Sequence, residues 1–211
     1  MRQNNPLFNL FLLTLFASLL LTGGCSTATP SNFYLLTPVN RATVEKTDKP
    51  LCPEITLTLG PVTVPDHLDR HQIVVRTNPN ILELSDYNRW AGALARELPL
   101  VLRENLSLLL ATDQIALYPA GRDLDADFQV SVDIVQFDGL PGEEIRLVAR
   151  WQLVDLKTDR TMAMERTEAS RPLESKEYQA YVAGQSSLLE TLCYDIALGV
   201  KEICPGGELQ Q

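Results

Sequence analysis

The sequence predicts an α+β fold, in which a mixed, largely antiparallel sheet carries two amphipathic helices packed on one face. Two long segments, one in the middle of the chain and one at its end, repeat apolar residues at three- and four-residue spacing, which is typical of helices with one buried face. Several shorter segments alternate apolar and polar residues, which indicates strands with one solvent-facing side. Strands of that kind bury their apolar face against helices, and the fold class follows.

The first predicted strands are short and are separated by turn-forming residues. Residues 33–36 form the first strand, and the proline-containing, charged segment 37–53 follows as a loop. Residues 55–64 alternate apolar side chains with threonines and bend at a Gly-Pro pair. Strands 72–77 and 81–84 flank an Asn-Pro-Asn turn, so we expect a hairpin there.

The central helix is predicted to follow this hairpin directly. Ser85 and Asp86 are suitable N-cap residues, and apolar residues recur at helical spacing from Trp90 to Leu109. Pro99 lies inside this segment, where a proline should kink or break the helix.

The second half of the chain predicts an antiparallel meander followed by a long helix. Residues 115–118 form a short strand, and residues 128–134 and 145–153 alternate cleanly on either side of a turn rich in glycine and proline. A further turn leads into a third strand through Met162 and Met164. The apolar spacing from Ser175 to about Ile203 predicts the final amphipathic helix.

The start of the chain has the layout of a bacterial lipoprotein signal. An early arginine precedes the apolar run 7–21, and Gly23 and Gly24 stand directly before Cys25. The run is too short for a comfortable membrane span, so a cleaved signal peptide of residues 1–24 is the better interpretation. Cys25 then begins the mature chain and carries a thioether-linked diacylglycerol and an amide-linked acyl chain such as palmitate, which together hold a protein firmly on a membrane.

The residues after Cys25 predict where the protein resides and how the mature chain is organised. Ser26 follows the lipidated cysteine, whereas aspartate at this position retains lipoproteins at the inner membrane, so we expect the periplasmic face of the outer membrane. Residues 25–32 form a short polar tether, residues 33–205 a single domain and residues 206–211 a polar tail. The formal charge of −9 disfavours nucleic acid as a partner and leaves membrane contact to the lipid anchor.

Three cysteines remain once Cys25 is lipidated, and in an oxidising compartment two of them should pair. If the final helix is continuous, Cys193 and Cys204 lie roughly 16 Å apart at about 1.5 Å per residue, which is beyond the reach of a disulfide. Either Cys52 bonds to one of them or the helix breaks before Cys204. We favour a bond between Cys52 and Cys204.

No set of residues in the sequence predicts catalysis, a metal or a cofactor. His67 and His71 share a spacing that could hold a metal on a helix, but their segment predicts a loop running into a strand. Ser186 lies inside the final helix without the turn that a hydrolase nucleophile needs. Glu143 and Glu144 lie at a predicted hairpin tip, which is usually solvated. We therefore predict a protein without enzymatic activity.

One stretch of the sequence resembles a known family. The pattern begins at residues 67–76, continues through 80–84 and the Asn-Arg-Trp-Ala segment 88–91, and extends to Arg-Glu-Asn-Leu at 103–106. The chain is similar here to the PqiC family of ABC-type transport auxiliary lipoproteins, which also includes YmbA-like proteins. The positions that carry the motif are Leu68, Asp69, Arg70, Gln72, Ile73, Val74, Arg76, Arg89 and Trp90.

The resemblance implies a non-catalytic component of an intermembrane lipid transport system. Its expected partners are a periplasmic MCE-domain protein and the ABC permease system behind it, and several copies of the chain could surround the MCE protein. The expected role is to dock that protein at the outer membrane. The alternative is a periplasmic carrier that binds an acyl chain in a cavity between its sheet and its helices.

Overall fold

The computed structural model describes residues 30–40, 52, 54–119 and 126–204, together with Leu7 and Phe11. The chain divides into two units, residues 1–30 and residues 31–211, and the fold described below belongs to the second. The signal peptide, Cys25, most of the predicted tether and the polar tail lie outside the described residues.

Eight strands and two helices are present among the described residues. In chain order they are β1 (Asn32–Tyr34), β2 (Leu57–Thr63), β3 (Gln72–Asn78), β4 (Ile81–Trp90), α1 (Leu94–Leu110), β5 (Ile115–Leu117), β6 (Phe128–Gly139), β7 (Glu144–Asp155), β8 (Arg160–Pro172) and α2 (Tyr178–Ile203). The two helices and the mixed, mostly antiparallel strands confirm the α+β class.

The strands divide between two sheets rather than forming one. The larger sheet has the order β5-β2-β6-β7-β8, and the smaller has the order β1-β4-β3. Within the larger sheet β2 runs parallel to both β5 and β6, whereas β6, β7 and β8 form the predicted antiparallel meander. In the smaller sheet β3 and β4 form an antiparallel hairpin, and β1 pairs in parallel with the end of β4.

Both helices pack against the larger sheet and against each other. Helix α1 contacts β2 and β5, whereas α2 contacts β7 and β8. The apolar stripe of α1 is buried, and so is that of α2, because both stripes face the same core. The helices pack on one side of the sheet, as the spacing of their apolar residues predicts.

Helix α2 approaches β7 closely because it carries glycines at two contact points. A Cβ atom built at Gly199 would lie 2.6 Å from Cη2 of Trp151, and one at Gly184 would lie 2.6 Å from Cδ1 of Ile145. Both distances are far shorter than a normal van der Waals contact. Any larger residue must therefore push the helix or the buried ring aside.

Gly199→Ala should destabilise the protein although alanine favours helices. The added methyl group overpacks the core against Trp151, which costs about 1–3 kcal/mol, while the helix propensity of alanine returns about 1 kcal/mol. Ala183→Gly, at an exposed position of the same helix, measures the propensity difference alone. Urea unfolding of both variants separates the two effects, and a stabilised Gly199→Ala protein would contradict the close contact.

The start of α1 differs from the prediction. Ser85 and Asp86 lie in β4 rather than at a helix N-cap, and Trp90 is the last residue of that strand. The hydroxyl of Ser85 does accept a hydrogen bond from the backbone N–H of Asn88 (3.1 Å), which is the contact expected of a capping serine. The chain stays extended nevertheless, because the backbone N–H of Trp90 donates to the carbonyl of His71 at 2.7 Å.

The helix begins instead at Leu94, and its own N-cap residue, Ala93, has no side chain that can accept a hydrogen bond. Asp69, which lies before β3, supplies that acceptor: the backbone N–H of Ala95 donates to its carboxylate at 3.3 Å. Helix α1 then runs through Pro99 to Leu110 without a break.

The cysteines adopt the pairing that the sequence favours. Cys52 and Cys204 form a disulfide with their Cα atoms 6.2 Å apart, which joins the segment before β2 to the end of α2. Cys193 is a buried free thiol that lies 3.8 Å from the carbonyl oxygen of Leu102, and burial raises its pKa.

Candidate docking surface

The β3-β4 hairpin has one edge that no described strand covers. Strand β1 pairs with Asn88, Arg89 and Trp90 only, so the preceding part of β4 has β3 on one side and no strand on the other among the described residues. We call residues 81–87 the β4 edge. Residues 82–84 pair regularly with β3, and the register shifts on either side of them, between Leu82 and Ile81 and again before Arg89.

The β4 edge is apolar and exposed on both faces. Ile81, Leu82, Leu84 and Tyr87 are each between 36 and 52% exposed. Leu82 and Leu84 share one face of the strand, and Ile81 lies on the opposite face. An exposed apolar strand edge of this kind offers both unpaired backbone groups and apolar side chains to a partner.

The partner strand of the hairpin, β3, is by contrast firmly held in the core. Ile73, Val74 and Val75 are all buried. The hydroxyl of Tyr181 in α2 donates to the carbonyl oxygen of Val74 at 3.2 Å, and burial of this hydroxyl raises its pKa. Helix α2 therefore fixes the inner strand of the hairpin, while the outer strand remains exposed.

An ion pair between a partly exposed arginine and a buried aspartate connects the hairpin to the larger sheet. Arg76 of β3 donates from Nε and Nη2 to the two carboxylate oxygens of Asp138 in β6, at 2.7 Å each. The carboxylate is completely buried and also accepts a hydrogen bond from the amide of Gln136 at 2.9 Å. These hydrogen bonds to Asp138 raise the pKa of Arg76, so the guanidinium remains charged.

Arg76 also holds the turn of the hairpin. Its Nη1 donates to the carbonyl oxygen of Pro79 at 3.0 Å, within the turn that leads into the β4 edge. The side chain of Arg76 thus connects the turn to Asp138 in β6. Nε2 of His67 lies 4.0 Å from the carboxylate of Asp138. Beside this pair is an open cleft of about 540 Å³, to which Glu143, Glu144 and Arg146 contribute charged side chains.

Several residues of the sequence motif lie near the base of the hairpin, whereas Arg76 lies next to its turn. Leu68 and Trp90 are buried, and Asp69 caps α1 as described above. Gln72 pairs with Arg89 across the two strands, and the amide N–H of Arg70 donates to the carbonyl of Leu68. Motif residues therefore hold the hairpin in place, and the exposed Ile81, Leu82 and Leu84 belong to the 80–84 part of the pattern that resembles the family.

The residues considered for catalysis do not form a reactive group. Ser186 is held within α2, where its hydroxyl donates to the carbonyl oxygen of Val182 at 3.0 Å. The hydroxyl of Ser170 donates to the exposed carboxylate of Glu144 at 3.2 Å, and Glu143 lies in the turn between β6 and β7. Within the described part of the chain, no three or more histidine, cysteine or acidic side chains lie close enough to hold a metal ion.

Sequence reasoning missed two parts of this surface. The sequence predicts a short strand and then a helix cap for the residues of the β4 edge. Ile81, Leu82 and Leu84 place apolar side chains on both faces of that strand, and this pattern could have indicated an exposed interaction edge. Asp138 begins the glycine- and proline-rich turn that the sequence predicts, whereas in the structure it lies in β6 as the buried partner of Arg76. No local sequence pattern shows that Asp138 is buried, because its partner Arg76 lies 62 residues away in the chain.

A family model matches most of the chain. The model describes the ABC-type transport auxiliary lipoprotein component and matches residues 34–197. The chain belongs to this family. The match runs from Tyr34 in β1 to Ala197 in α2 and so includes both sheets and the motif region. The resemblance to PqiC-like proteins is therefore confirmed.

Two solved structures share the fold of this auxiliary lipoprotein. A crystal structure of an uncharacterised protein is 17% identical with a TM-score of 0.66, and the match covers 82% of this chain and 99% of the other. Protein XCC0632 from Xanthomonas campestris is 16% identical with a TM-score of 0.64, covering 81% and 98%. A search of curated proteins gave no significant match.

Membership of the family also indicates the general location and role of the auxiliary lipoprotein. It is a component associated with an ABC transporter, and a lipoprotein family indicates a membrane-anchored periplasmic protein. Among the described residues, no helix has both the length and the hydropathy that a membrane span requires.

Proposed function

We propose that this auxiliary lipoprotein is anchored at the periplasmic face of the outer membrane and acts as the non-catalytic docking component of an MCE-type ABC intermembrane lipid transport system. A lipid that crosses the aqueous periplasm must stay shielded from water along its whole path. The protein conduit that shields it needs a fixed attachment point at its far end. An acylated domain with an exposed binding surface supplies that attachment.

The observation that carries the proposal is the β4 edge on a rigidly mounted hairpin. Contiguous exposed apolar residues on a soluble domain mark interaction surfaces, because they cost free energy while they face water. Arg76, Asp138 and Tyr181 hold the hairpin in place, so the edge is available without a change in fold. A rigid, preformed surface loses little conformational entropy when it binds a partner.

The anchor part of the proposal depends on the sequence around Cys25. Gly23 and Gly24 precede the cysteine and Ser26 follows it, which favours lipidation and release to the outer membrane. The acyl chains on Cys25 provide the membrane attachment, and the protein needs no other cofactor for this role.

Cys25→Ala should abolish transport function while the domain remains folded. The variant loses its acyl chains and moves from the outer-membrane fraction to the soluble periplasm, so the far end of the conduit is no longer attached. Membrane fractionation, circular dichroism and complementation of a deletion strain measure location, folding and function in turn. Full complementation by the soluble variant would overturn the anchoring role.

Gentle extraction of the full-length protein tests the partner and separates docking from lipid carriage. Docking predicts that a periplasmic MCE-domain protein copurifies and that native mass spectrometry finds no stoichiometric phospholipid on the lipoprotein itself. The same spectra count the copies of the chain in the complex and so test self-association. A carrier would retain one bound phospholipid, and absence of any MCE protein would overturn the docking proposal.

The close contacts of α2 at Gly184 and Gly199 favour docking over lipid carriage, because they leave no space for an acyl chain between that helix and β7 at those points.

A further inference from the structure

We infer that the β4 edge binds its partner by strand addition, and that the strand it accepts is an extended segment of the transporter's periplasmic protein in which apolar and basic side chains alternate. The inference rests on the proposed function, because it takes the conduit protein as the partner. It adds the binding mode, the place of binding and the chemistry of the partner segment.

The backbone of the β4 edge supplies the first argument. Residues 82–84 pair regularly with β3 on one side, the register shifts between Leu82 and Ile81, and no described strand pairs with residues 81–84 on the other side. Alternate N–H and C=O groups of such a strand point away from the sheet, and an added strand satisfies them. Register shifts before Leu82 and after Leu84 bound the regular edge, so the added strand covers about three residues, or about 10 Å at about 3.3 Å per residue.

The other long edge of the fold shows why the β4 edge is distinctive. Strand β8 ends the larger sheet, but it carries Arg160, Glu165, Arg166, Glu168 and Arg171 along its length. Charged side chains on an edge strand oppose pairing with another chain, and natural proteins protect their edges in this way. The regular part of the β4 edge has two leucines and one glutamate, and the exposed Ile81 lies directly before it, so this edge lacks that protection.

The side chains of the β4 edge define the partner segment. Leu82 and Leu84 face one side of the strand, where apolar side chains of the partner would cover them. Glu83 faces the other side; it is exposed and forms no ion pair within the described ranges. A basic residue on that side of the added strand would pair with this carboxylate, and the exposed Asp86 adds negative charge just beyond the regular pairing. Charge complementarity therefore selects an apolar and basic segment, and the overall charge of −9 acts in the same direction at longer range.

Site-specific photocrosslinking tests where the partner binds. A benzoylphenylalanine replaces Tyr87 at the end of the β4 edge, or Tyr194 on α2, in the full-length lipoprotein in its own cell envelope. The two tyrosines are 49% and 52% exposed, so the pair is matched in accessibility. We expect an adduct with the periplasmic MCE-domain protein from position 87 at a yield at least tenfold above that from position 194. Peptide mapping of the adduct should find an extended segment in which apolar and basic residues alternate.

Substitutions test the chemistry of the edge. Leu84→Lys and Glu83→Lys should each reduce recovery of the MCE protein at least tenfold, because the first removes an apolar contact and the second places like charges opposite each other. Leu100→Lys on α1 is the matched control, since Leu84 and Leu100 are both 46% exposed, and it should bind like the parent. Circular dichroism verifies that each variant folds. If a lysine variant does not fold, the crosslinking experiment alone decides the question.

The outcomes separate this inference from the function on which it rests. If the parent protein recovers the MCE protein but position 87 gives no adduct, or Leu84→Lys binds as well as the parent, strand addition at the β4 edge is wrong and docking stands. An adduct with a second copy of this chain, or equal yields from positions 87 and 194, also overturns it. If the parent recovers no MCE protein at all, the proposed function itself fails.

Discussion

Arg76→Met is expected to lower the free energy of unfolding by about 3 kcal/mol or more, because it leaves the buried carboxylate of Asp138 without its counter-ion. Two charged hydrogen bonds of 2.7 Å disappear, and the amide of Gln136 becomes the main remaining donor to that carboxylate. Removing one partner of a buried ion pair costs far more than the pair contributes in total. Urea unfolding measures the change, and the buried Trp90 and Trp151 serve as fluorescence probes.

Two further variants identify the origin of that loss. Arg150→Met removes an exposed arginine from β7 and should leave the unfolding midpoint almost unchanged. The double variant Arg76→Met with Asp138→Leu removes both charges and should recover most of the stability, since neither an unpaired charge nor an unsatisfied acceptor remains. If the double variant is as unstable as Arg76→Met alone, the uncompensated carboxylate is not the cause.

Replacing both Cys52 and Cys204 by serine should destabilise the protein by about 2–5 kcal/mol. The disulfide joins residues 152 positions apart, so it removes a large amount of conformational freedom from the unfolded chain. Loss of this bond favours unfolding even where the native contacts stay the same. The midpoint of urea unfolding, compared with and without a reducing agent, measures the effect.

Cys193 gives the control for the disulfide. Cys193→Ala removes a buried thiol that takes no part in the bond, and it should cost about 1 kcal/mol, the scale of a small change in the core. Reducing agent should lower the stability of this variant as much as that of the parent. Equal stability of the parent in oxidising and reducing conditions would contradict a stabilising bond.

The sequence predicts the local elements well where one periodic pattern extends over many residues. The final helix, the meander of β6, β7 and β8, and the apolar stripe of α1 each repeat one period long enough to be unambiguous. The pairing of β2 between β5 and β6, and of β1 with β4, joins distant segments, and no local pattern specifies it.

The error at Ser85 has a physical explanation. The serine forms the side-chain hydrogen bond of an N-cap, yet the backbone continues as a strand because His71 accepts from Trp90 and Tyr34 accepts from Ala91. A local preference loses here to backbone pairing with segments about 20 and 57 residues away.

Strand β1 gives the hairpin a mechanical role. It joins the folded unit through three residue pairs, Asn32 with Asn88, Phe33 with Arg89 and Tyr34 with Trp90, all on the strand that carries the exposed edge. A pulling force applied by a partner at that edge therefore has a direct path along β4 and β1 to the start of the folded unit. The contacts of Tyr181 and of Asp138 with β3 share that load with α2 and β6.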